Sequence, residues 1–526
     1  MTSINYLMVG DIVPDGGSEW RLFSRLRLSV EVQIIVAPYE ESFEIENSHR
    51  PWLRGLKRIG WGLLMLAILA AVRMAWNHGQ RASKLQETLA EMDRVEPGWR
   101  LEEIEANREE IPENENNARV VLDAARLMPP QWPSPEYAEH FALLTPSEKL
   151  TEEDFDRLTK ELQSMKPALD VAGQLADMPR GRYRIHYERN PIATLLPHLQ
   201  ESRRLVDLLG YEAMRQNQQG ETKNALTACR AALNAARSPG DEPIIISQLV
   251  RNACVVRVCQ AIERTLAQGE PPLEDMAALQ KLLESEDAFP SLLLAMRGER
   301  ALLYKVFDAV ENGVASVDEL AQTRSGWLES TFVSLWRMDT RQDKALFLSL
   351  MTRRIAEVQL PLHEQAALEK HFEQEIRELP KTAVLSRLLM PAIAKLGESF
   401  RRKHAYLRCM IVALAAERYR REKKAWPETI DKLCPKYLSA VPLDPFDGRP
   451  LRYRRLENGV IIYSVSSDGI DDGGNLDSAH PNQPGVDIGY RLWDVAKRRQ
   501  PPRLKQPKPP AAVPPALMPG LIPNIE

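Results

Sequence analysis

The sequence predicts a mainly α-helical protein: an irregular helical bundle or solenoid behind one transmembrane helix, closed by a small C-terminal α+β domain. Three observations predict it. An uncharged apolar run covers Ile59–Val72. Ala, Leu, Glu and Arg crowd the middle of the chain while aromatic residues make up only 6%, a balance that favours helix over sheet. Past residue 392 the pattern changes to short strands set off by Pro, Asp and Gly. A chain of 526 residues is too long for one core, since domains usually run to ~100–200 residues. Its 69 Lys and Arg against 73 Asp and Glu leave a formal charge of −4, so there is no whole-chain footprint for nucleic acid.

Residues 1–50 read as an N-terminal extension. Leu26, Leu28, Val30, Val32 and Ile34 alternate with polar residues as in a half-buried strand. No partner strand is evident nearby and a lone strand is unstable, so the segment is expected to be a disordered tail or an over-extended reading frame. A basic flank, residues 51–58, leads into the span. If Arg73 snorkels its guanidinium outward, the apolar stretch runs over residues 59–76. At 1.5 Å per residue it reaches ~27 Å, close to a ~30 Å hydrocarbon core. Trp61 and Trp76 lie near its ends, where indoles prefer the interface. Arg50, Arg54, Lys57 and Arg58 precede it, against Arg73, Arg81 and Lys84 after it, which places the N-terminus in the cytoplasm and the body outside it. The competing readings are a buried core helix and the apolar region of a signal peptide; the fifty preceding residues weigh against the second.

Residues 83–390 read as successive amphipathic helices. Thr145-Pro-Ser-Glu148 and Ser316-Val-Asp-Glu319 are capping boxes, expected to start helices. Leu273, Met276, Leu279, Leu282 and Leu283 keep to one helical face, whereas Ile244–Leu266 is apolar on most sides and is expected to be the buried centre. The five cysteines include no C-x-x-C pair and read as small buried hydrophobes. Gly220, Ala225, Ala232 and Leu233 resemble the small-residue spine of one degenerate tetratricopeptide repeat, near 208–236. No matching set recurs 34 residues on, so the resemblance does not extend to an array.

Residues 391–497 are expected to form a separate α+β domain. A long helix carries Leu396, Phe400, Leu407, Ile411 and Leu414 and stops before Trp426-Pro427. A short helix with Ile430 and Leu433 follows, then strands at Leu451–Arg455 and Val460–Val465 with a bend at Glu457-Asn458-Gly459. The order of long helix, L-D-P-F-D-G-R-P-L-R-Y at Leu443–Tyr453, Y-S-V-S-S-D-G at Tyr463–Gly469 and an Asp/Gly loop resembles the soluble part of the type II secretion major pseudopilin, over about residues 395–490. The resemblance implies a Ca²⁺ site, with Asp468, Asp471, Asp472 and Asp477 at the matching positions. Several carboxylates on a glycine-bearing loop suit that ion, although the spacing is not that of an EF-hand; turn chemistry and a solvated surface would also account for them. The family's glutamate five residues beyond the processing glycine is replaced by Met65 and Ala67, counted from Gly60 and Gly62. Arg401, Arg402 and Lys403 oppose entry of the C-terminal helix into a bilayer. The resemblance therefore points to a borrowed module.

Residues 498–526 read as a disordered tail, because nine prolines from 501 onward cannot build a core. No phosphate-cradling glycine loop or G-x-S-x-G elbow occurs. In His363-Glu364 through His371 the second histidine comes too late to share a zinc face. The expected function is a membrane-anchored, non-enzymatic structural or interaction protein of the cell envelope. It would bind the membrane through 59–76, carry tentative Ca²⁺ and have a link to secretion. The alternatives are an extracytoplasmic hydrolase with dispersed residues, which a pocket holding an acid/base pair would favour, and a soluble helical scaffold.

Overall fold

The computed structural model describes residues 51–142, 144–317, 320, 339–477 and 483–502. The strand pattern at 26–34, residues 318 and 319 of the second capping box and residues 503–526 lie outside them. The chain divides into two units, Met1–Val72 and Arg73–Glu526. In the first, the described residues belong to helix α1 (Pro51–Val95), and its large apolar side chains are open: Ile59, Trp61, Leu63, Leu66 and Leu69 are all more than half exposed. Among the described residues two helices are long and apolar enough to cross a membrane, Arg58–Val95 and Ile245–Gln268. None of the apolar window of the first is buried, and more than half of that of the second is.

The second unit is mainly helical. Its early helices are α2 (Leu101–Ala106), α3 (Asn117–Arg126), α4 (Pro135–Ala142), α5 (Glu152–Ser164) and α6 (Lys166–Ala172). Helix α5 starts where Thr151 Oγ1 accepts the Asp154 N–H at 3.0 Å, not at the expected box around Thr145. Tertiary partners claim that box first. Arg264 takes the carbonyls of Thr145 and Glu148 at 3.1 and 2.9 Å, and Ser147 and Lys149 pair through their backbones with Gln500. Helices α7 (Pro197–Gln219) and α8 (Thr222–Ala236) form a hairpin. Gly220 ends α7 at φ +86°, a left-handed conformation that costs glycine nothing. Ala225, Ala232 and Leu233 are buried in the seam.

Helix α9 (Ile245–Gln268) packs on both and is buried on most sides. Helix α10 (Leu273–Ala288) turns Met276, Leu279 and Leu283 inward, as its spacing predicts. A second core gathers α11 (Ser291–Glu311), α12 (Arg341–Glu357), α13 (Leu362–Arg377) and α14 (Val384–Ala394) with Leu85, Leu89 and Met92 of α1.

Helix α15 (Leu396–Lys423) belongs to both cores: Phe400 to the second, Leu407 through Ala416 to the first. Beyond it come a 3-10 turn at Ile430–Leu433 and strands β1 (Arg452–Leu456), β2 (Gly459–Ser464) and β3 (Ile488–Trp493), antiparallel in the order β1-β2-β3. Val460, Ile462, Tyr490 and Leu492 join the same core as α7–α10. The expected boundary near 390 is therefore absent. The sheet and α15 share a core with the helical body, because the stretch Cys409–Ala416 of α15 is apolar without a break and must be covered on every side.

Two of the three charges expected to keep α15 out of a bilayer, Arg401 and Lys403, are paired inside the protein, and Arg402 donates to the Ser466 hydroxyl. Arg401 Nη2 meets Glu369 at 2.5 Å, and Arg354 meets the same carboxylate at 2.6 Å. Lys403 lies 3.5 Å from Glu286, which also receives two bonds from Arg251 at 3.0 and 2.6 Å. The start of the expected tail is likewise fixed. Arg498 binds Glu417 at 3.0 and 2.9 Å, and Arg499 binds the carbonyls of Asn217 and Gln218 at 2.5 and 2.9 Å.

Burial alone would raise the Glu286 carboxyl, but Arg251, Lys403 and Arg237 outweigh it and hold it down at about 2. The stability this contributes is present above the ordinary value of 4.5 and is lost as pH falls towards 2. Glu286→Ala leaves three cations facing a void, so urea unfolding should show a loss of about 3–5 kcal/mol at neutral pH.

Candidate functional site

The Asp/Gly loop joins β2 to β3, and the L-D-P-F-D-G stretch anchors its start. Asp444, fully buried, accepts the N–H groups of Phe446 and Val465, both at 3.0 Å, the Ser464 hydroxyl at 2.8 Å and Arg452 at 2.7 Å. That aspartate therefore fixes the end of β2. Gly474, at φ +78°, lays the loop on the outer face of the sheet, where a Cβ would meet Ile461 and Tyr463.

Two of the four predicted ligands already serve the loop's own backbone. Asp468 accepts the N–H groups of Ile470 at 3.1 Å and Gly485 at 3.0 Å. Asp471 accepts the Gly473 N–H at 3.0 Å and the Tyr463 hydroxyl at 2.9 Å. Asp472 has a buried Oδ2 without a hydrogen-bond partner, and Asp477 lines the cavity described below. The structure adds Asp487, which the sequence reading missed because it sits just before a strand, eleven residues beyond Leu476. Asp487 is 3% exposed. Its Oδ2 accepts the Gly474 N–H at 2.8 Å, while its Oδ1 has no partner. Burial, with Asp472 and Asp471 adding, pushes its carboxyl up to about 6. The orphaned oxygens of Asp472 and Asp487 fit a hard cation in donor type. Among the described residues, however, no three His, Cys, Asp or Glu side chains are grouped so as to hold one.

Beside the loop lies a cavity of about 1500 Å³ between α7, α9, the first half of α15 and the sheet. Its walls include Tyr211, Asn252, Glu263, Tyr406, Asp487 and Tyr490. Glu263 accepts the Arg491 N–H at 3.1 Å, and burial pushes its carboxyl up to about 8, so it is protonated at neutral pH. Both polar atoms of the buried Asn252 amide lack partners. One wall thus offers a proton donor and an amide, and another an ionised aspartate, an arrangement that can hold a polar ligand and exchange a proton with it. Glu263 stands out in the sequence only as the one acid on α9, a helix whose other charged residues are arginines.

One buried cluster contains the residue types of a hydrolytic relay. Ser247 donates to Glu242 at 2.5 Å and His198 Nε2 lies 3.0 Å from the other oxygen. The carboxylate sits in the middle, so the serine is not bonded to the histidine that would have to take its proton. Cys229, Cys254 and Cys259 are buried free thiols whose burial pushes them up to about 12, which makes them poor nucleophiles. Comparison of the chain with protein-family models, curated proteins and solved structures gives no match to any of them.

An acid whose value is raised on folding binds its proton more tightly in the folded state, so stability falls as pH rises through the interval. For Glu263 that interval runs from 4.5 to about 8, and for Asp487 from 3.8 to about 6. Melting temperatures measured across pH should fall more gently above pH 6 in Glu263→Gln, and more gently below pH 6 in Asp487→Asn.

Proposed function

We propose that this chain is a single-pass membrane protein of the cell envelope, with its N-terminus in the cytoplasm and its helical unit outside. In this reading it acts as a structural or interaction protein; the cavity that holds the buried acids Glu263 and Asp487 favours, as a second reading, an extracytoplasmic hydrolase. The observation that carries the reading is the bare apolar surface of Ile59–Val72, where uncharged side chains remain exposed over the whole run. Water disfavours such a continuous face, and lipid tails cover it without cost. The basic excess before the run supports the orientation. The link to secretion and the Ca²⁺ of the acidic loop come from the resemblance to the pseudopilin, and the orphaned oxygens of Asp472 and Asp487 support the second. Those two aspartates, with Asp468, Asp471 and Asp477, would hold the ion, whose charge would offset their mutual repulsion.

The full chain should stay with the membrane pellet through an alkaline carbonate wash, and protease added from outside should digest residues beyond 95. Recovery of the chain in the soluble fraction would refute the anchor, and digestion only after permeabilisation would reverse the orientation. Leu66→Arg with Leu69→Arg should release the protein. Separately, the melting temperature of the purified chain should rise with Ca²⁺ concentration, by the equivalent of about 2.7 kcal/mol at a hundredfold excess over the dissociation constant. Asp472→Asn with Asp487→Asn should abolish the rise. A flat response in the unaltered chain would remove calcium and leave the anchor standing.

A further inference from the structure

Beyond Trp76, helix α1 gains body contacts almost at once. His78 Nε2 lies 2.6 Å from Arg341 Nη2 at the start of α12. Arg81 Nη1 lies 3.4 Å from Asp339 Oδ2, and Arg341 Nε lies 3.4 Å from Asp339 Oδ1. From Leu85 onward the inner face of α1 enters the second core. The first body residue on α1 is thus two positions past Trp76 and the next is five. At ~1.5 Å per residue, these stand about 3 and 8 Å beyond the indole.

That distance has a chemical meaning, and drawing it out depends on the membrane reading above. A bilayer measures ~30 Å across its hydrocarbon and ~40–45 Å with its headgroups, so each headgroup layer is about 5–8 Å deep. With Trp76 at the inner edge of that layer, His78, Arg81 and the start of α12 stand at the level of the lipid phosphates. Among the described residues, the charged groups there are mostly cationic. Arg73 and Lys84 are exposed on α1, and Arg81 and Arg341 are each about one-third exposed. Arg73 and Arg81 are spaced by eight residues, which puts them within about 80° of one another on the helix. The acid recorded against this group is Asp339, which the two arginines share. Guanidinium forks match phosphate oxygens in shape and charge.

We propose that Arg81 and Arg341, with Arg73 reaching up from just below them, form a seat for phospholipid phosphates. The start of α12 then lies at headgroup depth. Asp339 holds the two guanidinium groups side by side, and lipid phosphates complete their coordination from the open side.

The test uses the full chain carrying Gln342→Cys, an exposed position next to Arg341, with Cys434→Ser to remove the half-buried thiol. The introduced thiol carries an environment-sensitive fluorophore, and the protein is reconstituted into phosphatidylcholine/phosphatidylglycerol vesicles with a nitroxide on the lipid headgroup. Emission should be quenched at least about twofold at low salt, and less at high salt as screening weakens the phosphate contacts. Arg81→Gln with Arg341→Gln should reduce the quenching while the chain still floats with the vesicles. An unquenched label on floating protein overturns the seat and leaves the anchor intact. Quenching that ignores both salt and the double substitution also overturns it, since proximity would then have another cause. Protein that fails to float at all defeats the anchor, and this inference with it.

Discussion

A helix buried on every side must bring partners for its charges into the interior with it, and α15 imposes that demand on the whole second unit. Cys409 through Ala416 are apolar without a break, so α9 and α10 cover one side and the sheet the other. Toward its N-terminus, Arg401 and Lys403 point into the two cores, and each finds a carboxylate from a distant helix, Glu369 on α13 and Glu286 on α10. Unpaired, either cation would be costly to bury. Paired, they fix how α15 is rotated between the cores. At its other end Glu417 draws in Arg498, and that places the last described residues along Ser147–Lys149.

The position of the cavity follows from the same packing. The cavity lies between α7, α9, the first half of α15 and the sheet, and β3 contributes Tyr490 and Arg491 to its wall. Glu263 and Asp487 reach this space from elements more than two hundred residues apart in the chain. Their raised carboxyls are a consequence of burial, to which Asp472 and Asp471 add at Asp487. The acidic loop owes its shape to Asp444, Tyr463 and three glycine N–H groups. Two carboxylate oxygens remain over, and those give the loop its interest as a cation site.

The long periodic features were legible in the sequence. The apolar run at 59–76, the one-sided α10, the buried α9, the C-terminal long helix and the β1–β2 hairpin each follow from side-chain periodicity or turn residues acting within a few positions. Such signals are local, so a chain met for the first time displays them. Gly220 and the Trp426-Pro427 stop belong to the same class, because backbone geometry alone requires them.

Only the tertiary structure decided the rest. The capping box at Thr145 loses to Arg264 and Gln500, which claim its carbonyls from more than a hundred residues away. The boundary near 390 disappears because the unbroken apolar stretch Cys409–Ala416 is covered by α9 and α10 as well as by the sheet. Asp487 joins the acidic loop through strand pairing, and Arg341 reaches the end of the apolar helix through packing of α12 on α1. The sequence by itself determined which segments are helical, which surface avoids water and where the acids cluster, since these depend on neighbours along the chain. Which charges meet, and which are left without partners, depends on neighbours in space, and those are set only when the cores close.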